Sequence, residues 1–155
     1  MHRRFAQVTE SMRSSYKTLL KMEPVTAATL PKGMPKSGVY LFTDGSQHLY
    51  VGRSNRLRDR IRNHGSAASK HNVASFAFKI AREATGNLRA TYRSEGSRKH
   101  LVQQPKFARA FSDAKRRVSM MEVRFVEESD QLRQALLEIY VSVVLRTPFN
   151  DFDTH

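Results

Sequence analysis

The chain has 155 residues, the length of one domain with a modest core, and 39% of them are hydrophobic, which favours a compact fold. Its 27 lysines and arginines against 14 acidic residues leave a formal net charge of +13. That charge predicts a polyanionic partner, with nucleic acid first and an acidic membrane surface second. The lack of cysteine excludes disulfides and thiolate zinc sites. The sequence shows no membrane-spanning apolar run and no signal peptide, so we expect a cytoplasmic protein that does not enter a membrane.

An amphipathic helix is predicted over about residues 3–22. Its apolar residues recur at three- and four-residue steps, and they are Phe5, Val8, Met12, Tyr16 and Leu19. Docking on the back of the domain is the first interpretation of this helix, and a dimer or DNA contact is the alternative. Residues 23–36 contain three prolines and one glycine, which is typical of a linker. We therefore expect an N-terminal helix and linker in residues 1–36 and the main domain in residues 37–155.

A β-hairpin is predicted next, because two short apolar runs flank a turn-forming cluster at residues 44–46. A three-residue loop would pair residue 43 with 47, 41 with 49 and 40 with 50. Tyr40 and Tyr50 would then lie opposite each other on one face of the sheet. The hairpin is therefore expected to place two phenols in one pocket.

A short helix is predicted after the hairpin, with Asn55 as its N-cap, residues 56–64 as its body and Gly65 as its C-cap. At about 100° per residue, its residues separate into distinct faces. The inner stripe consists of Leu57, Ile61 and His64.

The arginines of this helix are expected to differ in role. Arg60 borders the inner stripe, so Arg60 and His64 should face the sheet that carries the tyrosines. Arg58 and Arg62 point away from the stripe and should form a solvated or phosphate-facing surface.

The stretch after Gly65 is predicted to be a loop followed by a helix. The polar residues 66–72 form the loop, with His71 at its end. Residues 75–85 show helical spacing, and Gly86 would end the helix. The side chains expected to be buried are Phe76, Ile80 and Ala84.

A third strand and a last helix are predicted near the C-terminus. Residues 119–126 alternate between apolar and polar side chains, as in a half-buried strand. Ser129 or Asp130 would cap the helix, which runs to about residue 146 because Pro148 stops its continuation.

One acidic residue stands out in this last helix. Within residues 135–145, Glu138 carries the only charge. A lone carboxylate on an apolar helix is costly to bury without a partner, so a bound cation is the economical explanation. An arginine salt bridge at the helix flank is the alternative.

Positive charge is concentrated in the middle of the chain. Residues 82–117 contain ten lysines and arginines against three acids, whereas residues 118–155 contain three against seven. A solvated basic face is one interpretation, but this asymmetry favours a surface that contacts DNA. The candidate nucleic-acid contacts are Arg53, Arg56, Arg58, Arg89, Arg93, Lys106, Arg109, Lys115, Arg116 and Arg117.

Several short motifs, in order and spacing, resemble those of the GIY-YIG nuclease family. The resemblance covers about residues 37–150 and leaves out residues 1–36 and about 86–105. Valine replaces isoleucine in both name-giving triplets. The residues that carry the resemblance are Gly38-Val39-Tyr40, Tyr50-Val51-Gly52, Arg60, His64, Glu138 and Asn150.

The resemblance implies an α/β (α+β) fold, with a small three-stranded antiparallel sheet flanked by helices, and a metal-dependent DNA endonuclease. Tyr40 would activate a water, helped by His64 or by nearby positive charge, because a phenol with its ordinary pKa of about 10 is a poor base. Tyr50 would orient the water or the phosphate, and Arg60 would stabilise charge on the phosphate. Glu138 would bind one Mg²⁺ or Mn²⁺.

Two further residues are expected to support the site. His71 lies where some members of the family carry a second active-site histidine, although a loop histidine is often simply exposed to solvent. Asn150 could hold a neighbouring loop or a water.

Residues 86–117 would form a basic insertion in the domain.

Other functions stay open at this point. The substrate would be double-stranded or structured DNA, and a homodimer is one way to cut both strands with one active site per chain. A catalytically inert basic DNA-binding module is the first alternative. An RNA-directed nuclease is the second, because basic charge does not distinguish RNA from DNA.

Overall fold

Six helices and three strands lie within residues 1–87 and 96–152, the parts of the chain that the computed structural model describes. The predicted class is confirmed, because a small three-stranded antiparallel sheet is flanked by helices and a helix stands at the N-terminus. Among the described residues, no helix has the length and apolar composition needed to cross a membrane. The elements are α1 (Arg3–Lys21), β1 (Gly38–Asp44), β2 (Gln47–Ser54), α2 (Leu57–Gly65), α3 (Ser75–Thr85), α4 (Arg98–Gln103), α5 (Pro105–Met120), β3 (Glu122–Glu127) and α6 (Gln131–Leu145).

The chain divides into two compact units. The first unit comprises residues 1–60 and 121–155 and contains the sheet, α1 and α6. The second unit comprises residues 61–120 and contains α3, α4 and α5. The division falls within α2, so its two ends belong to different units.

The hairpin is present, but its predicted register is wrong. The loop has two residues, and Leu41 pairs with Val51 instead of residue 49, while Tyr40 pairs with Gly52. An irregularity after Phe42 leaves one extra residue in β2. The register therefore differs from the prediction by two positions, and since side chains alternate with a period of two, the residues keep their predicted faces.

Strand β1 lies at the centre of the sheet, which has the order β2-β1-β3. Its outer neighbours are themselves covered at their free edges. Val25 pairs with Val123 of β3 through two backbone hydrogen bonds of 3.0 and 2.7 Å. The segment predicted as a linker thus adds one paired residue to the sheet, which satisfies backbone groups that an edge strand would otherwise expose.

One face of the sheet packs against α1 and α6. The edge-to-face contact of Tyr16 with Tyr140, with ring centroids 5.5 Å apart, joins the two helices, and Arg133 of α6 donates a hydrogen bond of 2.9 Å to Ser11 of α1. These contacts support the packing interpretation of α1, although Phe5 is half exposed and not part of the core. The buried core residues are Met12, Leu19, Val39, Leu41, Val51, Val126, Leu137 and Val141.

The start of α2 differs from the prediction. Asn55 does not cap the helix, because its side-chain oxygen accepts a hydrogen bond of 2.9 Å from Gln134 of α6. Ser54 accepts from the backbone N–H of Arg56 instead, and the helix begins at Leu57. Local propensity predicted Asn55 as the cap, but its side chain makes a tertiary hydrogen bond to Gln134 instead.

The second unit is built around aromatic side chains of α3 and α5. Phe78 lies 5.1 Å from Phe107 and 5.9 Å from Phe111, measured between ring centroids. Gly86 ends α3 in a left-handed conformation, as predicted, but Ala84 is exposed and the prediction that it is buried is wrong. The helical turn places Ala77, Phe78 and Ala81 inside beside Phe76 and Ile80.

The boundaries near the C-terminus are close to those predicted. Residues 119 and 120 end α5, so β3 begins at Glu122 and not at residue 119. Asp130 caps α6 by accepting a hydrogen bond of 2.8 Å from the backbone N–H of Arg133. Arg146 ends the helix in a left-handed conformation, two residues before Pro148.

Candidate active site and nucleic-acid-binding surface

Tyr40 lies in the central strand and is 1% exposed. The residue opposite it on β2 is Gly52, and a Cβ atom added there would overlap the Tyr40 hydroxyl and ring. Residue 52 must therefore be glycine, because the Tyr40 phenol occupies the space that a side chain there would need. Gly38 is constrained in a similar way, because a Cβ atom there would overlap the carbonyl oxygen of Val126.

The two tyrosines share one face of the sheet, as predicted. Their ring centroids are 6.4 Å apart and their planes are inclined by 46°. Phe42 pairs with Tyr50 in the register, and its ring meets Tyr40 edge-on at 5.7 Å. The phenols are therefore diagonal neighbours and not direct partners.

Arg60 also converges on Tyr40. Its guanidinium donates a hydrogen bond to the phenol oxygen, and its charge favours the phenolate. Burial of the phenol and the proximity of Tyr50 nevertheless raise the pKa of Tyr40 well above its ordinary value. The expectation that nearby positive charge lowers this pKa is therefore not met, because desolvation of the buried phenolate outweighs the effect of Arg60.

Glu138 forms an ion pair with Arg53. The distance from Nε of Arg53 to Oε2 of Glu138 is 2.9 Å, and the Glu138 side chain is 20% exposed. The arginine partner named as the alternative explanation for this lone acid is thus present. Glu138 also acts electrostatically on Tyr40, as the smallest of the effects on that phenol.

Glu138 is the residue proposed to bind a divalent cation. Within the described ranges, no three histidine, cysteine or acidic side chains come together as a metal-binding group. Mg²⁺ commonly keeps several waters and uses one or two carboxylates, so a single, partly exposed Glu138 fits it as one protein ligand. Such binding would compete with Arg53 for the same carboxylate.

The side-chain amide of Asn150 binds the backbone of strand β2. Its Nδ2 donates to the carbonyl oxygen of Val51 at 2.7 Å, and its Oδ1 accepts from the Val51 N–H at 2.9 Å. Thr147 donates to the same Oδ1 at 2.7 Å and orients the amide. Asn150 therefore positions residue 51, between Tyr50 and Gly52, and so holds a strand where the sequence suggested a loop or a water.

The candidate DNA-binding arginines of the first unit are engaged within the protein. Arg53 binds Glu138, Arg58 donates to the carbonyl of Pro31, and Arg56 pairs with Asp59 at 2.6 Å. The pair of Arg56 is well exposed to solvent, so it contributes little to stability and can exchange for a phosphate.

The two candidate histidines belong to the second unit. His64 is completely buried and its ring meets Phe76 edge-on at 6.3 Å. Its predicted assistance to Tyr40 stays a prediction. His71 is partly exposed, and its ring centroid lies 6.4 Å from that of Phe78.

Lys115 differs from the other candidate cations of α5. It is buried and donates hydrogen bonds to the carbonyls of Ala67 and Ser69 at 2.8 and 3.0 Å. It therefore anchors the loop before α3, and these two hydrogen bonds do not favour its assignment as a DNA contact, which stays a prediction. The α5 cations that do lie on the exposed face are Lys106, Arg109, Arg116 and Arg117. Arg89 and Arg93 lie outside the described residues.

Sequence reasoning did not identify the partners in two polar contacts that organise the first unit. One is the partnership of Arg53 with Glu138, and the other is the bridge from Gln134 to Asn55 and to the backbone carbonyl of Glu128. The position of Glu138 on an apolar helix indicated a positively charged partner, but it did not distinguish a metal ion from an arginine. Gln134 gave a weaker signal, since a glutamine on an inner helix face requires partners when buried.

Comparison with known proteins gives no relative from which function could be transferred. No family model, no curated protein and no solved structure matches this chain.

Proposed function

We propose that the chain is a divalent-metal-dependent DNA endonuclease of the GIY-YIG type. The observation that carries the proposal is the meeting of Tyr50 and Arg60 at the buried Tyr40, with each triplet glycine required by a close approach. A tyrosine pair beside a fixed guanidinium offers proton-transfer groups and an anion-binding charge in one place.

The reaction consistent with these groups is hydrolysis of a phosphodiester. Arg60 binds the scissile phosphate and Tyr50 orients a water. Tyr40 first releases its own phenol proton to solvent, and the phenolate then accepts the proton that the water loses. The water oxygen attacks phosphorus, the bond from phosphorus to O3′ breaks, and the leaving oxygen takes a proton from solvent. A cation held by Glu138 supplies Lewis-acid stabilisation of the leaving oxygen when bound.

The second unit supports DNA as the substrate. Residues 61–120 contain 13 lysines and arginines against three acids, whereas the other 95 residues contain 14 against 11. Exposed cations lie along one face of α5, namely Lys106, Arg109, Arg116 and Arg117. Phosphates of a nucleic-acid backbone are the natural partners of such a face.

Cleavage of plasmid DNA with Mg²⁺ and with EDTA tests the proposal. We expect cleavage that EDTA stops, and a loss of at least about a hundredfold in rate for Tyr40→Phe, Arg60→Ala and Glu138→Gln. Arg13→Ala and Glu10→Gln are matched controls because both residues are exposed on α1 and lie outside the proposed site. Full activity of Glu138→Gln with Mg²⁺ would contradict the metal assignment.

A catalytically inert nucleic-acid-binding module is the second candidate. The Arg53–Glu138 ion pair favours it, because the arginine occupies the carboxylate that would bind a metal. The raised pKa of Tyr40 also favours it, because a neutral phenol is not a base. Binding of DNA without cleavage under every metal condition would select this candidate. Structured RNA tested in parallel decides whether RNA is the preferred substrate.

A further inference from the structure

The loop that leads into α3 is built around a buried lysine. Lys115 donates to the carbonyls of Ala67 and Ser69, and its Nζ lies 4.5 Å from the ring centroid of Phe111. Backbone hydrogen bonds of 3.0 and 2.9 Å from Val73 and Ala74 to the carbonyl of Lys70 close the following turn. The segment that carries residues 70 and 71 is therefore held in place by the core of the second unit.

His71 and Arg98 meet at the same aromatic ring. The Cζ atom of Arg98 lies 5.2 Å from the ring centroid of Phe78, and the His71 ring lies 6.4 Å from that centroid. Phe78 itself is buried, so it fixes the position of both groups. A guanidinium and an imidazole therefore both lie against one buried ring.

Positive charge surrounds this histidine. Burial lowers the pKa of His71, and the charges of Arg98, Lys70 and Lys99 lower it further. Among the residues that the structure describes, the charged groups that act on His71 come from its own loop and from α4, and they are positive. A cluster of this kind disfavours its own protonation and favours a bound anion.

We propose that His71, Arg98, Lys70 and Lys99 form a binding site for a phosphate group, and that protonation of His71 strengthens the binding. The guanidinium offers paired N–H donors that match phosphate oxygens, and the lysines add charge. This site lies within the second unit and does not depend on the hydrolysis proposed above. Its ligand is a phosphate oxyanion from a DNA backbone, from a DNA end or free in solution.

The binding and the protonation are thermodynamically linked. A bound phosphate places negative charge beside His71 and so raises its pKa, and by reciprocity affinity rises as the pH falls through that pKa. We expect phosphate-diester affinity to increase on the order of tenfold between pH 8 and pH 5. A diester keeps a constant charge over this range, so the change reports on the protein.

NMR of the full-length protein in EDTA provides the test. The His71 ring resonances are followed against pH alone, with a thymidine dinucleotide, with its 5′-phosphorylated form and with inorganic phosphate. We expect at least one of these probes to raise the pKa of His71. The diester, the terminal monoester and the free ion identify the source of the phosphate by which of them acts most strongly.

Three variants complete the test. Arg98→Gln should weaken binding of the active probe about tenfold, whereas His71→Gln should retain affinity at pH 8 and lose the increase at low pH. Lys17→Gln is the charge-matched control, because Lys17 is an exposed residue of α1 in the first unit. The proposal is overturned if no probe changes the pKa of His71, or if Arg98→Gln and Lys17→Gln bind equally well.

Discussion

Tyr40 shows how strongly burial can change the chemistry of a single side chain. Its phenol is enclosed by the sheet and by Tyr50, and it receives a hydrogen bond from Arg60. Because desolvation of the phenolate dominates, the pKa of Tyr40 lies well above its ordinary value. In the free protein this residue is a neutral phenol, and it becomes a base only when positive charge is added near it.

The raised pKa of Tyr40 predicts a loss of stability at alkaline pH. Above about pH 10 the unfolded chain loses this proton while the folded chain keeps it, so the free energy of unfolding falls with increasing pH, by up to about 1.4 kcal/mol per pH unit. Tyr40→Phe removes this contribution. Urea denaturation of both proteins between pH 8 and pH 11 should show a steeper fall for the wild type.

Tyr16 also has a raised pKa, caused by burial and by Tyr140. It is present in both proteins and cancels from the comparison with Tyr40→Phe. Parallel stability curves would show that Tyr40 ionises normally in the folded protein.

At the scale of elements, β2 depends on the segment that follows α6. Asn150 satisfies both backbone groups of Val51, and the N–H of Phe149 donates to the carbonyl of Leu49 at 3.1 Å. These bonds occupy the outer edge of the sheet next to Tyr50. The C-terminal segment therefore holds in place the strand that carries one of the two tyrosines.

Asn150→Ala should destabilise the protein by about 2–4 kcal/mol, because the N–H and carbonyl of Val51 lose their partners. Asn72→Ala is a suitable control, since Asn72 is an exposed amide in a loop of the second unit. Urea denaturation measures the loss, and amide exchange measures protection at Val51. Unchanged exchange at Val51 would contradict the prediction, because the hydrogen bond to Asn150 would then not be what protects this N–H.

On the scale of the whole molecule, charge is distributed unevenly between the two units. The second unit carries ten of the thirteen net positive charges in the sequence. Its cations divide into those that anchor structure, such as Lys115, and those exposed on α5. The first unit carries the tyrosine site and is almost neutral by comparison.

Salt dependence distinguishes the two units as DNA-binding surfaces. Changing Lys106, Arg109, Arg116 and Arg117 to glutamine should reduce the slope of log affinity against log salt by up to about 3.6, at about 0.9 per phosphate contact. The matched control neutralises four exposed cations of α1, which are Arg3, Arg4, Arg13 and Lys17. A larger effect from the α1 set, measured by fluorescence anisotropy, would assign DNA binding to the first unit.

Much of the fold was predictable from local sequence patterns. The bounds of α1 and α6, the cap at Asp130 and the burial of Leu57, Ile61 and His64 all follow from periodicity and capping. These signals act over a few residues, so neighbours in the chain are enough to produce them. The shared face of Tyr40 and Tyr50 was predictable for the same reason, because alternation along a strand survives a two-residue shift of register.

Tertiary structure decided what depends on residues far apart in the chain. The extra residue in β2 set the register, and Gln134 took Asn55 away from the helix cap. Lys115 could be recognised as an anchor only once its loop partners were known, and Arg53 as the partner of Glu138 only once α6 lay beside β2. The pKa of Tyr40 likewise reflects atoms brought around it by folding, because desolvation depends on the whole packed environment and not on local sequence.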